Sequence, residues 1–126
     1  MENIELLELA EKAAQNAYAP YSGFKVGAAI LCRDGSVYTG CNIENASYGA
    51  SNCAERTAVF KAVSEGKKEF LKIAIMSSGR GFTFPCGICR QVLWEFMPQG
   101  DVVLGDVNGR IKVFKLKELL PEAFSL

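Results

Sequence analysis

Cys53, Glu55, Cys86 and Cys89 are the residues of this chain whose types and spacing could do chemistry. They fall in two short stretches, Cys53-Ala54-Glu55-Arg56 and Pro85-Cys86-Gly87-Ile88-Cys89-Arg90-Gln91. In the first turn of a helix, the spacing of Cys86 and Cys89 puts both sulfurs on one face. Pro85 before them, with Val92, Leu93 and Phe96 after them at apolar helical spacing, predicts such a helix. The chain has no histidine, so a zinc site here must be built from thiolates, carboxylates or water. Three thiolates without an obvious fourth leave one coordination position open, which separates a catalytic zinc from a structural one. A water held there is acidic enough to act as hydroxide near neutral pH. Glu55, two residues after Cys53, is placed to take its proton and hand it on.

Other readings of the same residues compete with this one. A redox C-x-x-C accounts for Cys86 and Cys89 but leaves Cys53 and Glu55 idle. A structural zinc needs a fourth ligand, and Cys32 or Cys41 is available, although both fall on predicted strands, where a free cysteine is often a small buried hydrophobe. A non-catalytic, zinc-stabilised RNA-binding or interaction protein is a further alternative, against which the neutral charge and the presence of Glu55 both argue.

A C-x-E stretch followed by P-C-x-x-C is the signature of zinc-dependent nucleobase deaminases, including a three-cysteine variant. On these motifs the chain resembles the small, homotetrameric, three-cysteine cytidine deaminases. Two further stretches carry the same resemblance: Tyr18-Ala19-Pro20-Tyr21-Ser22 leading to Phe24-Lys25-Val26-Gly27-Ala28-Ala29, and Gly40-Cys41-Asn42-Ile43-Glu44-Asn45-Ala46-Ser47-Tyr48. The likeness runs in family order from near residue 10 to the tail. It implies one zinc ion per subunit on Cys53, Cys86 and Cys89, with Glu55 as the proton carrier. The substrate implied is a small pyrimidine nucleoside, cytidine or 2′-deoxycytidine, deaminated in pyrimidine salvage. Arg56 is expected to hydrogen-bond the ligand sulfurs and withdraw charge from them.

Asn42 and Glu44 alternate on an extended stretch and can face one side, and an amide beside a carboxylate suits a ribose hydroxyl. By resemblance they hold the sugar, with Ile43 between them; turn chemistry is the alternative. By the same resemblance Phe24 packs on the pyrimidine, although a core phenylalanine is the competing reading. The backbone at Ala54 lies between ligand and catalyst at a helix N-terminus and is expected to touch the base. Ala46, Tyr48 and Phe124 match positions that reach a neighbouring subunit's site, so the resemblance implies a homotetramer with shared sites. Ile88, Trp94 and the loop 77–84 depart from the family pattern.

The elements that must position these residues are legible as alternating helices and strands. A chain of 126 residues with 49% hydrophobic and 22% charged residues suits one domain with a real core. Formal net charge is zero and no basic run stands out, which argues against a polynucleotide partner. No stretch reaches the ~20 apolar residues that span a bilayer. The acidic start Met1-Glu2-Asn3-Ile4-Glu5 lacks a signal-peptide pattern, and five cysteines form no even framework. The expectation is reduced thiols in the cytoplasm.

Residues 4–17 read as an amphipathic helix capped by Asn3 and stopped by Pro20. Strands are expected over 25–32 and 37–41, joined at Asp34-Gly35, with Gly27 where another element packs closely. A loop over 42–52 leads to a helix near Cys53 that stops at Gly66. A buried strand over 70–77, the second cysteine helix, strands over 102–104 and 111–114 around Asn108-Gly109, and a short helix over 116–120 complete the chain. This alternation implies a layered α/β sandwich. The resemblance sharpens it to a three-layer α/β/α sandwich with a mixed five-stranded sheet.

Overall fold

Strand β1 (Val26–Cys32) is buried along its whole length, as a strand must be when both sheet faces are covered. The computed structural model, which describes residues 1–126, places β1 between β2 (Val37–Cys41) and β3 (Phe70–Ser77), antiparallel to both. β3 continues in parallel register to β4 (Asp101–Gly105), and β4 pairs antiparallel with β5 (Ile111–Lys115). The result is one mixed five-stranded sheet in the order β2-β1-β3-β4-β5.

Alternation along β1 sends its side chains into two separate cores. Ala28, Ile30 and Cys32 join Ala54, Ala58, Val59 and Ala62 of helix α2 (Ala54–Ser64) and Leu93 of helix α3 (Gly87–Phe96). Ala29 and Leu31 join Leu6, Leu7 and Ala10 of helix α1 (Asn3–Ala14) on the opposite face. The expected three layers are therefore present: α1, then the sheet, then α2 and α3 with the short helix α4 (Leu116–Leu119).

Two glycines set how closely the helices approach. A Cβ at Gly27 would lie 1.9 Å from the carbonyl oxygen of Ala10, so α1 rests on β1 backbone to backbone. Gly40 plays the same part on the other face. A Cβ there would lie 2.5 Å from the amide nitrogen of Ala58 and 2.7 Å from the carbonyl of Ala54. α2, which begins directly after Cys53, is thus seated on β2 at its first two turns. Gly27→Ala is expected to destabilise the fold by about 3 kcal/mol, because backbone atoms cannot step aside as a side chain can. The shift of the urea midpoint measures it; an unchanged midpoint would refute the backbone contact.

The hairpin turns fall where Asp34-Gly35 and Asn108-Gly109 predict them, with Gly35 at φ 91° and Gly109 at φ 81°. The first helix differs from expectation at both ends. Glu2 occupies the cap position, while the Asn3 side chain accepts a hydrogen bond from Lys72 Nζ at 2.7 Å. The helix stops at Ala14 because Tyr18 is drawn to the sheet margin. Its N–H donates to the Asn42 carbonyl at 3.0 Å, and its own carbonyl accepts from the Glu44 N–H at 2.8 Å. The predicted loop over 42–52 is also tied down: Ile43 and Asn52 exchange two backbone hydrogen bonds, and Tyr48–Ala50 forms a 3-10 turn.

Candidate metal centre

Cys53 and Cys86 occupy the cap positions of α2 and α3, and neither cap makes a side-chain hydrogen bond to its own helix. The helix-end N–H groups and the positive end of each dipole are left facing the sulfurs, an arrangement that favours thiolate. Cys89 sits in the first turn of α3 and is fully buried. The three sulfurs lie within 4.8 Å of one another, and Cys53 Sγ is 3.8 Å from Cys86 Sγ. With zinc–sulfur bonds of ~2.3 Å, the edge of a tetrahedron is ~3.8 Å, so this pair is already spaced for the metal. No other cysteine and no acidic side chain joins the cluster. Cys32, available from the sequence as a fourth ligand, is instead part of the core beneath α2, and Cys41 lies on β2. The donor set fits a zinc ion with one position open.

A hydrogen bond from Cys89, helped by Arg56, holds Cys53 down at about 5. Cys89 is pushed up by that same hydrogen bond and by burial. Arg56 Nη2 donates to Cys53 Sγ at 3.3 Å, and its buried Nε has no partner within the chain.

Glu55 follows Cys53 by two residues and is only 4% exposed. Burial raises its carboxyl to about 7, and the negative charge at Cys53 acts in the same direction. Ala54, between ligand and carboxyl, is fully buried at the first position of α2. Thr57 reinforces this turn: its hydroxyl donates to the Cys53 carbonyl at 3.1 Å and accepts from Asn52 Nδ2 at 3.2 Å.

A second group stands beside the first. Asn42 Nδ2 donates to the Phe24 carbonyl at 2.8 Å, and Asn42 Oδ1 accepts from the Val26 N–H at 2.9 Å. One of the two amide N–H donors is therefore engaged in fixing the backbone on either side of Lys25, and one remains. The Glu44 carboxylate accepts from the backbone N–H groups of Tyr21 and Ser22 and from the Ser22 hydroxyl. The hydrogen bond from that hydroxyl holds the Glu44 carboxyl's pKa below the ordinary carboxylate range, so it stays an acceptor. The Ser22 hydroxyl in turn accepts from the Phe24 N–H at 3.0 Å. Phe24, Asn42 and Glu44 thus form one connected unit, joined to the cysteine cluster through the Ile43–Asn52 pairing. Sequence reading did not single out Ser22: its partner lies 22 residues on, and no local pattern joins them.

Phe24 is 40% exposed and is therefore not a core residue. Ile43 and Ala46 are exposed, as is Tyr48, which meets only Tyr21 edge-on at 6.2 Å among the aromatic rings. Phe124 is exposed as well. Arg90 does not extend the sulfur shell. Its Nε donates to the Pro85 carbonyl and its Nη1 to the Leu119 carbonyl, both at 2.7 Å.

Fold and cluster together define a class: zinc-dependent hydrolases of the deaminase type, with the metal held between two helix N-termini. Residues 1–105 match the family model described as the cytidine and deoxycytidylate deaminase zinc-binding region. A cytidine deaminase of Halalkalibacterium halodurans is 50% identical over 126 residues, covering 99% of this chain and 96% of that protein. The crystal structure of cytidine deaminase from Burkholderia pseudomallei superposes with a TM-score of 0.94 at 49% identity, covering 98% of this chain and 100% of that one. That of cytidine deaminase from Mycobacterium tuberculosis superposes at 0.87 and 40% identity, covering 100% and 99%. The chain belongs to the cytidine deaminase family.

Arg56→Ala is expected to preserve the fold and to lower zinc retention or turnover by about 10–100-fold, the usual cost of removing a group that tunes metal ligands. Metal content and kcat measured together check this. Unchanged values for both would mean that the hydrogen bond to Cys53 leaves the metal untouched.

Proposed function

We propose that this chain is a single domain, residues 1–126, that hydrolytically deaminates cytidine and 2′-deoxycytidine to the uracil nucleosides and ammonia. The observation that carries the proposal is the meeting of three sulfurs at zinc spacing with a buried carboxyl two residues from one of them. Family membership and relatives named cytidine deaminase over nearly their full length support it. The setting proposed is pyrimidine salvage in the cytoplasm, for a protein in which no helix is long and apolar enough to cross a membrane.

Cys53, Cys86 and Cys89 hold one zinc ion, which when bound supplies the Lewis acidity that makes water a nucleophile at neutral pH. Glu55 accepts a proton from the water that adds at C4 and delivers it to ring N3, then takes the remaining proton of the added hydroxyl and gives it to the departing amine. The backbone at Ala54 contacts the base, and Phe24 packs on the pyrimidine ring. Glu44, kept as an acceptor by Ser22, takes a hydrogen bond from a ribose hydroxyl, and Asn42 donates its remaining N–H beside it. Ile43 spaces the two.

The site belongs to an assembly in this proposal. Ala46, Tyr48 and Phe124 are exposed on one chain and complete the sites of neighbouring subunits in a homotetramer. The exposed side chains of Tyr18, Tyr21, Ile43 and Tyr48, all on or beside the substrate segment, supply an apolar surface of the kind a partner covers.

Purified, zinc-loaded protein incubated with cytidine should convert it to uridine, followed by the change in ultraviolet absorbance. Zinc-loaded protein that leaves both cytidine and 2′-deoxycytidine unchanged would overturn the assignment.

A further inference from the structure

The segment after α4 has no regular structure of its own, yet one helix holds the end of α4 before it, the backbone of Phe124 and the side chain of Ser125. Arg90 reaches the Leu119 carbonyl, Gln91 Nε2 donates to the Phe124 carbonyl at 3.0 Å, and Trp94 Nε1 donates to the Ser125 hydroxyl at 2.9 Å. Arg90 and Gln91 are neighbours and Trp94 lies about one turn further along α3, the helix that is capped by Cys86 and carries Cys89. The Phe124 ring, by contrast, is 65% exposed and stacks on no aromatic ring of its own chain. An exposed aromatic on an anchored backbone has already lost the conformational freedom it would lose on binding, so its contact with a partner is strengthened in advance.

We infer that Gln91 and Trp94 are positioning residues for substrate binding: they mount the tail on α3 so that Phe124 is presented, pre-ordered, to the nucleoside in a neighbouring subunit. This rests on the reading of Phe124 as a residue that completes a neighbour's site. It gives Trp94, a departure from the family pattern, a task that core packing does not. The indole N–H holds Ser125, while the ring lies partly buried against the core formed by α2, α3 and the sheet. The same helix fixes two metal ligands and the tail. Each chain therefore keeps a constant relation between the site it builds and the ring it lends.

The test is a KM-against-kcat split combined with a double-mutant cycle. Gln91→Ala and Trp94→Phe, the second keeping an aromatic ring while deleting the donor, are expected to raise KM for cytidine roughly two- to tenfold, the worth of one hydrogen bond. kcat should stay within about twofold, zinc should remain at one per chain, and Ser125→Ala should match Trp94→Phe. In a Phe124→Ala background, which itself raises KM, the same substitutions should add nothing further. If Phe124→Ala raises KM while Gln91→Ala and Trp94→Phe do not, or if their effects multiply with it, the mounting role is wrong and the reading of Phe124 stands. If Phe124→Ala leaves KM unchanged, the reading of Phe124 fails and the inference falls with it.

Discussion

Glu55→Gln is expected to bind zinc at one ion per chain and to lose about 10²–10⁴-fold in kcat for cytidine. That range is the usual contribution of a positioned general acid–base. Glutamine matches glutamate in shape and fits the same buried space, so packing around the first turn of α2 is kept. What it lacks is an oxygen that can take a proton and release it. The reaction needs such a group for two transfers: one proton from water to N3, and the remaining proton of the added hydroxyl to the leaving amine. Zinc content and circular dichroism of the variant should match the parent while turnover collapses. Residual turnover within tenfold of the parent would mean that another group moves these protons, and the assignment of Glu55 would be lost.

The second large effect is expected from the ligand set. Cys89→Ser should bring zinc well below one ion per chain after exposure to a chelator, and activity should fall in proportion to the metal lost. The hydroxyl is a far poorer donor to zinc than a thiolate, and only two sulfurs would remain. Cys41→Ser is the contrasting case. Cys41 lies on β2 and is not part of the cluster, so this variant should retain one zinc per chain and full turnover. Loss of metal from Cys41→Ser would revive a four-cysteine structural site and would contradict the open coordination position on which the chemistry depends.

The metal centre was legible in the sequence because its spacing is local. Cys86 and Cys89 share a helix face, and Cys53 and Glu55 share a helix start. Gly27 was legible as a close-packing site for the same reason, since a glycine inside a strand has few other uses. Pairings of distant residues were not legible. Nothing near Tyr18 announces that its backbone will join Asn42 and Glu44 and so end α1 three residues short of the expected boundary. Nothing near Asn3 gives its side chain to Lys72, 69 residues away. The strand order, with β1 inside and β2 at an edge, follows from which faces α1 and α2 cover, a property of the folded chain alone. Asn42 and Glu44 were read as groups for a sugar. In the structure both hold the loop that carries Phe24, through bonds to Phe24, Val26, Tyr21 and Ser22.

The two helix starts that meet at the sulfurs belong to different parts of the chain: α2 lies between β2 and β3, and α3 forms the crossover between the parallel strands β3 and β4. A metal bound there ties residues 33 apart in sequence into a closed loop. It therefore acts as a cross-link as well as a reagent. Closing a loop of that length removes chain entropy from the unfolded state worth roughly 3–4 kcal/mol, as a disulfide of equal span would. The loop encloses all of α2 and β3, so an ion bound there also staples the start of α2 to the start of the crossover helix α3.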